Sequence, residues 1–176
     1  MSEKISLQDR EWKSFTIKEL FDTFESGKIK NASILDEGDV PYIAATNRNN
    51  GVKNFVAVSN KQLSKGNCIA FIGQGDGSAG YSVYKAEDSA VASTVICGYS
   101  KHLNREIGLF ISCCSDLNKS KYSHGYSRSD TRLKRDRIML PVNDQGSPDY
   151  EFMEAYVRER ERVLLDRYKL AKYERN

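Results

Sequence analysis

Through the first four-fifths of the chain, apolar residues gather in short runs, several of them alternating with polar positions. Over the last stretch they recur every three or four residues. Trp12–Phe24 (WKSFTIKELFDTF) sets Phe15, Ile17, Leu20, Phe21 and Phe24 near helical spacing. That spacing predicts a short amphipathic helix, capped by Ser14 or Thr16 and ended by Gly27. Val40–Ala45 reads as a strand, Thr46–Gly51 (TNRNNG) as a turn closing on Asn-Gly, and Val52–Val58 as a second strand burying Phe55, Val56 and Val58. Asn67–Ile72, Tyr81–Ala86, Ala90–Tyr99 and Ile138–Val142 carry further strand patterns. Leu109–Cys114 fits either a strand or a buried helix segment, because a short apolar run does not separate the two.

From Asp149 to Tyr173 the pattern is helical, with Phe152, Met153, Tyr156, Val157, Val163, Leu164, Tyr168, Leu170 and Ala171 at three- and four-residue steps. Ser147 is the expected N-cap and Pro148 the first helical residue, while Asp149 and Glu151 suit the positive end of the helix dipole. About 25 residues at 1.5 Å each make a rod of roughly 37 Å. One end of so long a helix is expected to project and to need a partner. The fold class that follows is α+β: mostly antiparallel strands with a short N-terminal helix and a long C-terminal one. Residues 1–146 form the expected domain and 147–176 the long helix.

Composition narrows the class. The 176 residues, 39% hydrophobic and 29% charged, suit one soluble domain with a real core. There is no run of about 18 apolar residues for a membrane span. The N-terminus carries charges where a secretion signal needs its apolar stretch, so a cytoplasmic protein is expected, with no membrane partner. Cys68, Cys97, Cys113 and Cys114 form no CxxC pair and stand at no metal-ligand spacing from His102 or His124. Reduced, buried thiols and no metal are the expectation.

The stretch Phe71–Tyr81 (FIGQGDGSAGY) fits two cofactor patterns, GxGxxG and FxGxG. A dinucleotide fingerprint requires a helix directly after the glycines, with the pyrophosphate at its N-terminus. Here YSVYKAEDSAV follows and alternates like a strand. No NPPY- or DPPY-like tetrapeptide and no Gly-Lys-Ser/Thr occur either. The glycines therefore read as a strand–strand connection, with no cofactor. Ser123 beside His124 lacks the rest of a hydrolytic triad, and Asp149 with Glu151 lacks the lysine of a nuclease motif. No active site is expected.

Net charge is only +3, yet Lys119–Arg137 holds seven bases (Lys119, Lys121, Arg128, Arg132, Lys134, Arg135, Arg137) against Asp130 and Asp136. The remainder is slightly acidic. Such asymmetry points to a polyanionic partner. Cations and hydroxyls suit phosphate oxygens, Arg128 and His124 suit base edges, and Tyr122 and Tyr126 can stack. Asn47, Arg48 and Asn49 add the side-chain types that pair bidentately with adenine and guanine.

Read in order, several segments resemble a known family. They are Trp12…Ile17…Leu20-Phe21, Pro41-Tyr42-Ile43 leading to Asn50-Gly51, Gly66 before a strand, Gly80–Tyr84, the Tyr122…Arg128 loop, Ile138–Val142, and Gly146–Tyr156 entering a long helix. The chain is similar to a target recognition domain of the DNA-specificity (S) subunits of type I restriction–modification enzymes, and to type IIB specificity subunits. The passage from Leu-Pro-Val through Pro-Asp to Met-Glu is the most specific part. The resemblance implies sequence-specific reading of double-stranded DNA for an adenine methyltransferase subunit and a nuclease subunit, with catalysis in those partners. It implies DNA contacts by Asn47, Arg48, Asn49 and Ser78 on one side. On the other side it implies Tyr122, His124, Tyr126, Arg128, Arg132 and Lys134, with Arg128 on a base and Lys119, Lys121, Arg132 and Lys134 on phosphates. Phe152, Met153, Tyr156, Val157, Val163, Leu164 and Tyr168 would serve the partner or dimer helix. Family members carry two recognition domains and two long helices, whereas this sequence has one of each. A half-subunit that forms a homodimer, a truncated frame and an excised domain all fit. A truncated module that binds the methyltransferase without DNA affinity, and a nucleotide-binding enzyme, are the rival functions.

Overall fold

In the computed structural model, which describes residues 5–75, 77–123 and 125–173, the first strand pairs with the last. β1 (Trp12–Thr16) runs antiparallel to β10 (Arg137–Pro141), with Phe15 opposite Ile138. This pairing overrides the helical spacing expected over Trp12–Phe24. Only one turn, α1 (Ile17–Leu20), is helical there, and Thr16 caps it in a reciprocal box with Glu19. β2 (Thr23–Ser26) follows at once. Ile17, Leu20 and Phe21 still face inward, so the apolar face was legible even though its element was not.

The middle of the chain builds two four-stranded sheets. One has the order β2–β9–β6–β7, using β6 (Cys68–Ile72), β7 (Ser82–Lys85) and β9 (Val95–Tyr99). The other has the order β4–β3–β8–β5, from β3 (Glu37–Ile43), β4 (Val52–Val56), β5 (Leu63–Ser64) and β8 (Ser89–Val91). Every pairing is antiparallel except β3 with β8. The single strand expected over Ala90–Tyr99 is thus two strands in different sheets, separated by a turn closed from Val95 N–H to Ala92 O. Phe55, expected inside, is 54% exposed because it alternates with the buried Val56 on an edge strand.

β6 organises the interior. All five of its side chains are buried, and their period-two alternation serves two cores. Ile69 and Phe71 join Ile17, Ile111, Leu133, Leu140 and Met153 in the first core. Cys68, Ala70 and Ile72 join Ile43, Val56, Val91 and Val95 in the second, between the two sheets. The first core is closed by α2 (Arg105–Asp116), α3 (Asp130–Arg135) and the start of α4 (Tyr150–Tyr173). Leu109–Cys114 is therefore helix. Asn104 caps α2 by accepting from Ile107 N–H at 2.9 Å.

Two finer expectations are corrected. Asp149, not Ser147, caps α4: its Oδ1 accepts from Phe152 N–H at 2.9 Å, and its own N–H is held by Pro141 O. Pro148 accordingly lies outside the helix. Cys68 and Cys97 are buried, but Cys113 is exposed and Cys114 half-buried, because α2 covers the core with one face only. No helix among the described residues is long and apolar enough to cross a membrane.

The two-core arrangement predicts sharply different costs for two apolar truncations. Ile69→Ala should lower the unfolding free energy by about 2–5 kcal/mol, and Phe55→Ser should change it by less than about 0.5 kcal/mol. Urea titration of both variants checks this; similar losses would contradict the burial of β6.

Candidate nucleic-acid interface

Three segments far apart in sequence meet around the glycine loop. β6 and β7 pair antiparallel on either side of it, Phe71 opposite Ser82, so the loop is a hairpin connection, as its flanking strand patterns require. Gly75, Gly77 and Gly80 take φ of 131°, 67° and 91°, conformations that side-chain-bearing residues rarely adopt. At Gly80 space is also decisive, since a Cβ there would stand 2.8 Å from Lys119 Cα. The glycine buys contact between the hairpin and the basic segment. On the other flank, Asn47 Nδ2 donates to Gly77 O at 3.1 Å. The turn holding Asn47 is itself locked: Asn49, Asn50 and Gly51 take φ of 49°, 52° and 77° in succession, and Gly51 O accepts from Ala44 N–H.

Arg128 fastens this arrangement from inside, which overturns its expected role. It is 1% exposed. Its Nε donates to Asp136 Oδ2 at 3.0 Å, Nη1 to Gly80 O at 3.0 Å and to Ser82 Oγ at 3.1 Å, and Nη2 to Ser115 Oγ at 2.8 Å. Its backbone N–H also donates to Gly73 O at 2.8 Å. The rings of Phe71 and Tyr122 flank the guanidinium with centroids at 5.1 and 5.5 Å. Burial pulls the guanidinium down from its ordinary value and the neighbouring Asp136 opposes that. With its donors committed inward, Arg128 cannot reach a base edge.

Burial corrects two further expectations. Ser78 is 2% exposed and so does not face outward, and its hydroxyl has no hydrogen-bond partner among the described residues. Tyr122 is 8% exposed; burial, and then its hydrogen bond to Asp136, pushes its phenol above the ordinary range. Its ring stacks on the half-exposed Tyr126 with centroids 6.2 Å apart. His124 lies outside the described residues.

Exposed around this frame are Asn47, Arg48, Asn49, Lys119, Lys121, Tyr126 and Arg132, with Lys134 half-buried. Arg132 lies 3.9 Å from the Tyr126 ring centre and donates to Ser127 O. Lys121 is 3.7 Å from Asp136 and Lys134 is 2.8 Å from Asp130. The Arg48 guanidinium and the Lys119 ammonium form no ion pair among the described residues. Sequence reasoning missed Tyr81, whose ring centre lies 4.6 Å from Lys119 Nζ, and the buried set Asp136, Ser115 and Ser82. The placement of Tyr81 directly after the last glycine of the loop was the available signal; nothing in the local sequence marks the buried set.

The family model for the type I restriction modification DNA specificity domain matches residues 9–166. The chain belongs to this family. It is 32% identical over 169 residues to S.BcgI, the specificity subunit of a type II restriction enzyme of Heyndrickxia coagulans, covering 95% of this chain and 48% of that protein. Its fold is similar to the type I restriction–modification S subunit of M. genitalium, with TM-score 0.62 and 22% identity over 96% of this chain and 42% of that one. It is also similar to the HsdS subunit of Thermoanaerobacter tengcongensis, with TM-score 0.59 and 14% identity over 88% and 38% of the two chains. The chain thus spans about half the length of the curated relative it matches.

In this specificity domain the first turns of α4 are not free for a partner. Phe152 and Met153 are 6% and 0% exposed within the first core, and Tyr156 and Val157 pack against it. Arg105 Nη1 donates to Glu161 Oε2 at 2.9 Å, tying α2 to the middle of the helix. Beyond that point Val163 is half-buried, while Leu164, Leu165, Tyr168 and Leu170 are 63%, 58%, 68% and 64% exposed. Phe152 and Met153 therefore leave the set of partner-facing residues, and the apolar surface shifts to the distal half.

Arg128→Met should destabilise the domain by about 3–5 kcal/mol, because it strands Asp136 in the interior. Adding Asp136→Leu should restore much of that loss. Denaturation of the single and double variants measures the coupling; additive losses would contradict the buried pair.

Proposed function

We propose that this chain recognises one part of a split double-stranded DNA target, as the DNA-reading half of a restriction–modification specificity subunit. One observation carries the reading: in a domain of this family, the turn holding Arg48 and the basic segment, both locked to the glycine hairpin, present Arg48, Asn49, Lys119 and Arg132 to solvent. Asn47 is spent on Gly77 and Arg128 on Asp136, so Arg48 is the group best placed to read a guanine edge and Asn49 an adenine edge. Lys119, Lys121, Arg132 and Lys134 take phosphates, with Tyr126 beside Arg132. Residues up to 146 do the reading, and the helix from 147 onward links the domain to its partners.

The chain itself carries no catalytic role in this reading. Methyl transfer belongs to an adenine methyltransferase subunit and cleavage to a nuclease subunit, in a type I or related system of the cytoplasm. The distal helix, through Val163, Leu164 and Tyr168 together with Leu165, docks the methyltransferase or a second copy of the chain. In a homodimer, two-fold symmetry would make the target symmetric. The exposed distal stripe equally favours the second reading, a module that holds the methyltransferase without contacting DNA. Salt dependence separates the two: DNA reading requires affinity that falls steeply with ionic strength, and the second reading does not.

Arg48→Ala should relax discrimination at one base pair by about 1–3 kcal/mol, measured by competition among duplexes changed one position at a time. Uniform weakening on all sequences would reassign Arg48 to a phosphate. Leu164→Glu with Tyr168→Glu should leave stability within about 0.5 kcal/mol, yet abolish co-purification with the methyltransferase and any dimer seen by light scattering. Retained assembly would remove the distal helix from the interface.

A further inference from the structure

We infer that Tyr81 and Lys119 together form a seat for one DNA backbone phosphate, and that Asn47 positions this seat instead of reading a base. The inference rests on the DNA-recognition reading above and adds a residue and a ligand group to it.

The seat is a cavity of about 280 Å³ between the glycine hairpin and the segment after α2, lined by Gly77, Ala79, Tyr81, Lys119, Tyr122 and Ser123. Lys119 is anchored at its backbone: Tyr122 N–H donates to Lys119 O, and Gly80 packs against the Lys119 Cα. Its ammonium is then held beside the Tyr81 ring, 4.6 Å from the centre. Among the described residues the carboxylate that acts on both Tyr81 and Lys119 is Asp116, and one of its oxygens already accepts from Ser82 N–H at 2.7 Å. Burial pushes the Asp116 carboxyl up, against the hydrogen bond from Ser82 and the charges of Arg128 and Lys119. Lys119 is in no ion pair among the described residues.

Donor counting gives the ligand class. The Asn47 amide is oriented by Gly77, because a carbonyl oxygen only accepts and must therefore face the amide nitrogen. Lys119 and Asn47 both donate toward the Tyr81 oxygen, Lys119 with the larger effect, and together they pull the phenol below its ordinary value. A phenol also carries one hydrogen to donate. Neither the Lys119 ammonium nor the Asn47 nitrogen can accept that hydrogen, which therefore suits an acceptor-only partner. An oxyanion fits the phenol O–H and the ammonium at once, and the phosphodiester is the oxyanion that a duplex offers at every step. The Asn47 nitrogen is engaged by Gly77 O, so turning the amide to the bidentate adenine contact its residue type permits would break that bond.

The test uses the full chain with its methyltransferase. Duplexes are prepared in which one phosphate at a time is replaced by neutral methylphosphonate, and binding is followed by fluorescence anisotropy. For the unmodified protein, one position should cost about tenfold or more in affinity, the size of a charge-assisted hydrogen bond. Tyr81→Phe and Lys119→Ala should each bring a similar loss on the natural duplex, and neither should lose more when that one phosphate is neutralised. Lys119→Ala should also flatten the salt slope by about one, while Tyr81→Phe leaves the slope unchanged. Lys119 is exposed, so its variant tests the seat even where Tyr81→Phe unfolds. Losses that stay additive at every phosphate would overturn the proposal. So would a Tyr81→Phe loss that depends on the identity of a base pair, since that would make the contact a base contact. If the unmodified protein binds no duplex at all, the DNA reading itself fails and the seat with it.

Discussion

The Arg128–Asp136 pair is the interaction on which the site depends. A guanidinium placed in an apolar interior is stable only when its charge is paired and its N–H groups are all accepted. Asp136, Gly80 O, Ser82 Oγ and Ser115 Oγ meet that demand, and they come from the end of α3, the glycine loop, β7 and α2. One side chain therefore ties four separate elements to each other. None can shift without exposing an unpaired donor or charge, so the loops that present cations outward stand on a rigid base. Geometry of that rigidity is what reading a base edge requires, because bidentate contacts tolerate little displacement.

A division of labour among the basic residues follows. The positive charge of Lys119–Arg137 reads as one undifferentiated patch in sequence, yet the fold sorts it. Arg128 turns inward and becomes structure. Lys121, Lys134 and Arg137 are steadied by Asp136, Asp130 and Ser14. Arg132 lies on Tyr126, and Lys119 lies beside the Tyr81 ring with no ion pair among the described residues. Arg48, from a different loop, joins the exposed set. A helix half anchored in the core and half bare shows the same separation along α4. The proximal turns of α4 hold the domain together, and the distal turns leave Leu164, Leu165, Tyr168 and Leu170 exposed.

Sequence by itself determined what depends on local chemistry. The pattern over Asn67–Ile72 marked the strand that became β6, and the alternation after the glycines argued against a cofactor fingerprint. The three- and four-residue steps after Asp149 marked a long helix, and the order of segments pointed to the specificity family to which the chain belongs. Tertiary structure decided whatever depends on a distant partner. Trp12–Thr16 became a strand because β10 supplied hydrogen bonds that helical spacing could not outweigh. Asp149 displaced Ser147 as the cap because Pro141 O fixed its backbone. Arg128 looks the same in sequence as Arg132, four residues later; the carboxylate and hydroxyls that draw it inside come from residues up to 46 positions away. Spacing along a chain records faces and turns, whereas burial of a charge is set by who arrives to pair it, and only the fold brings those partners together.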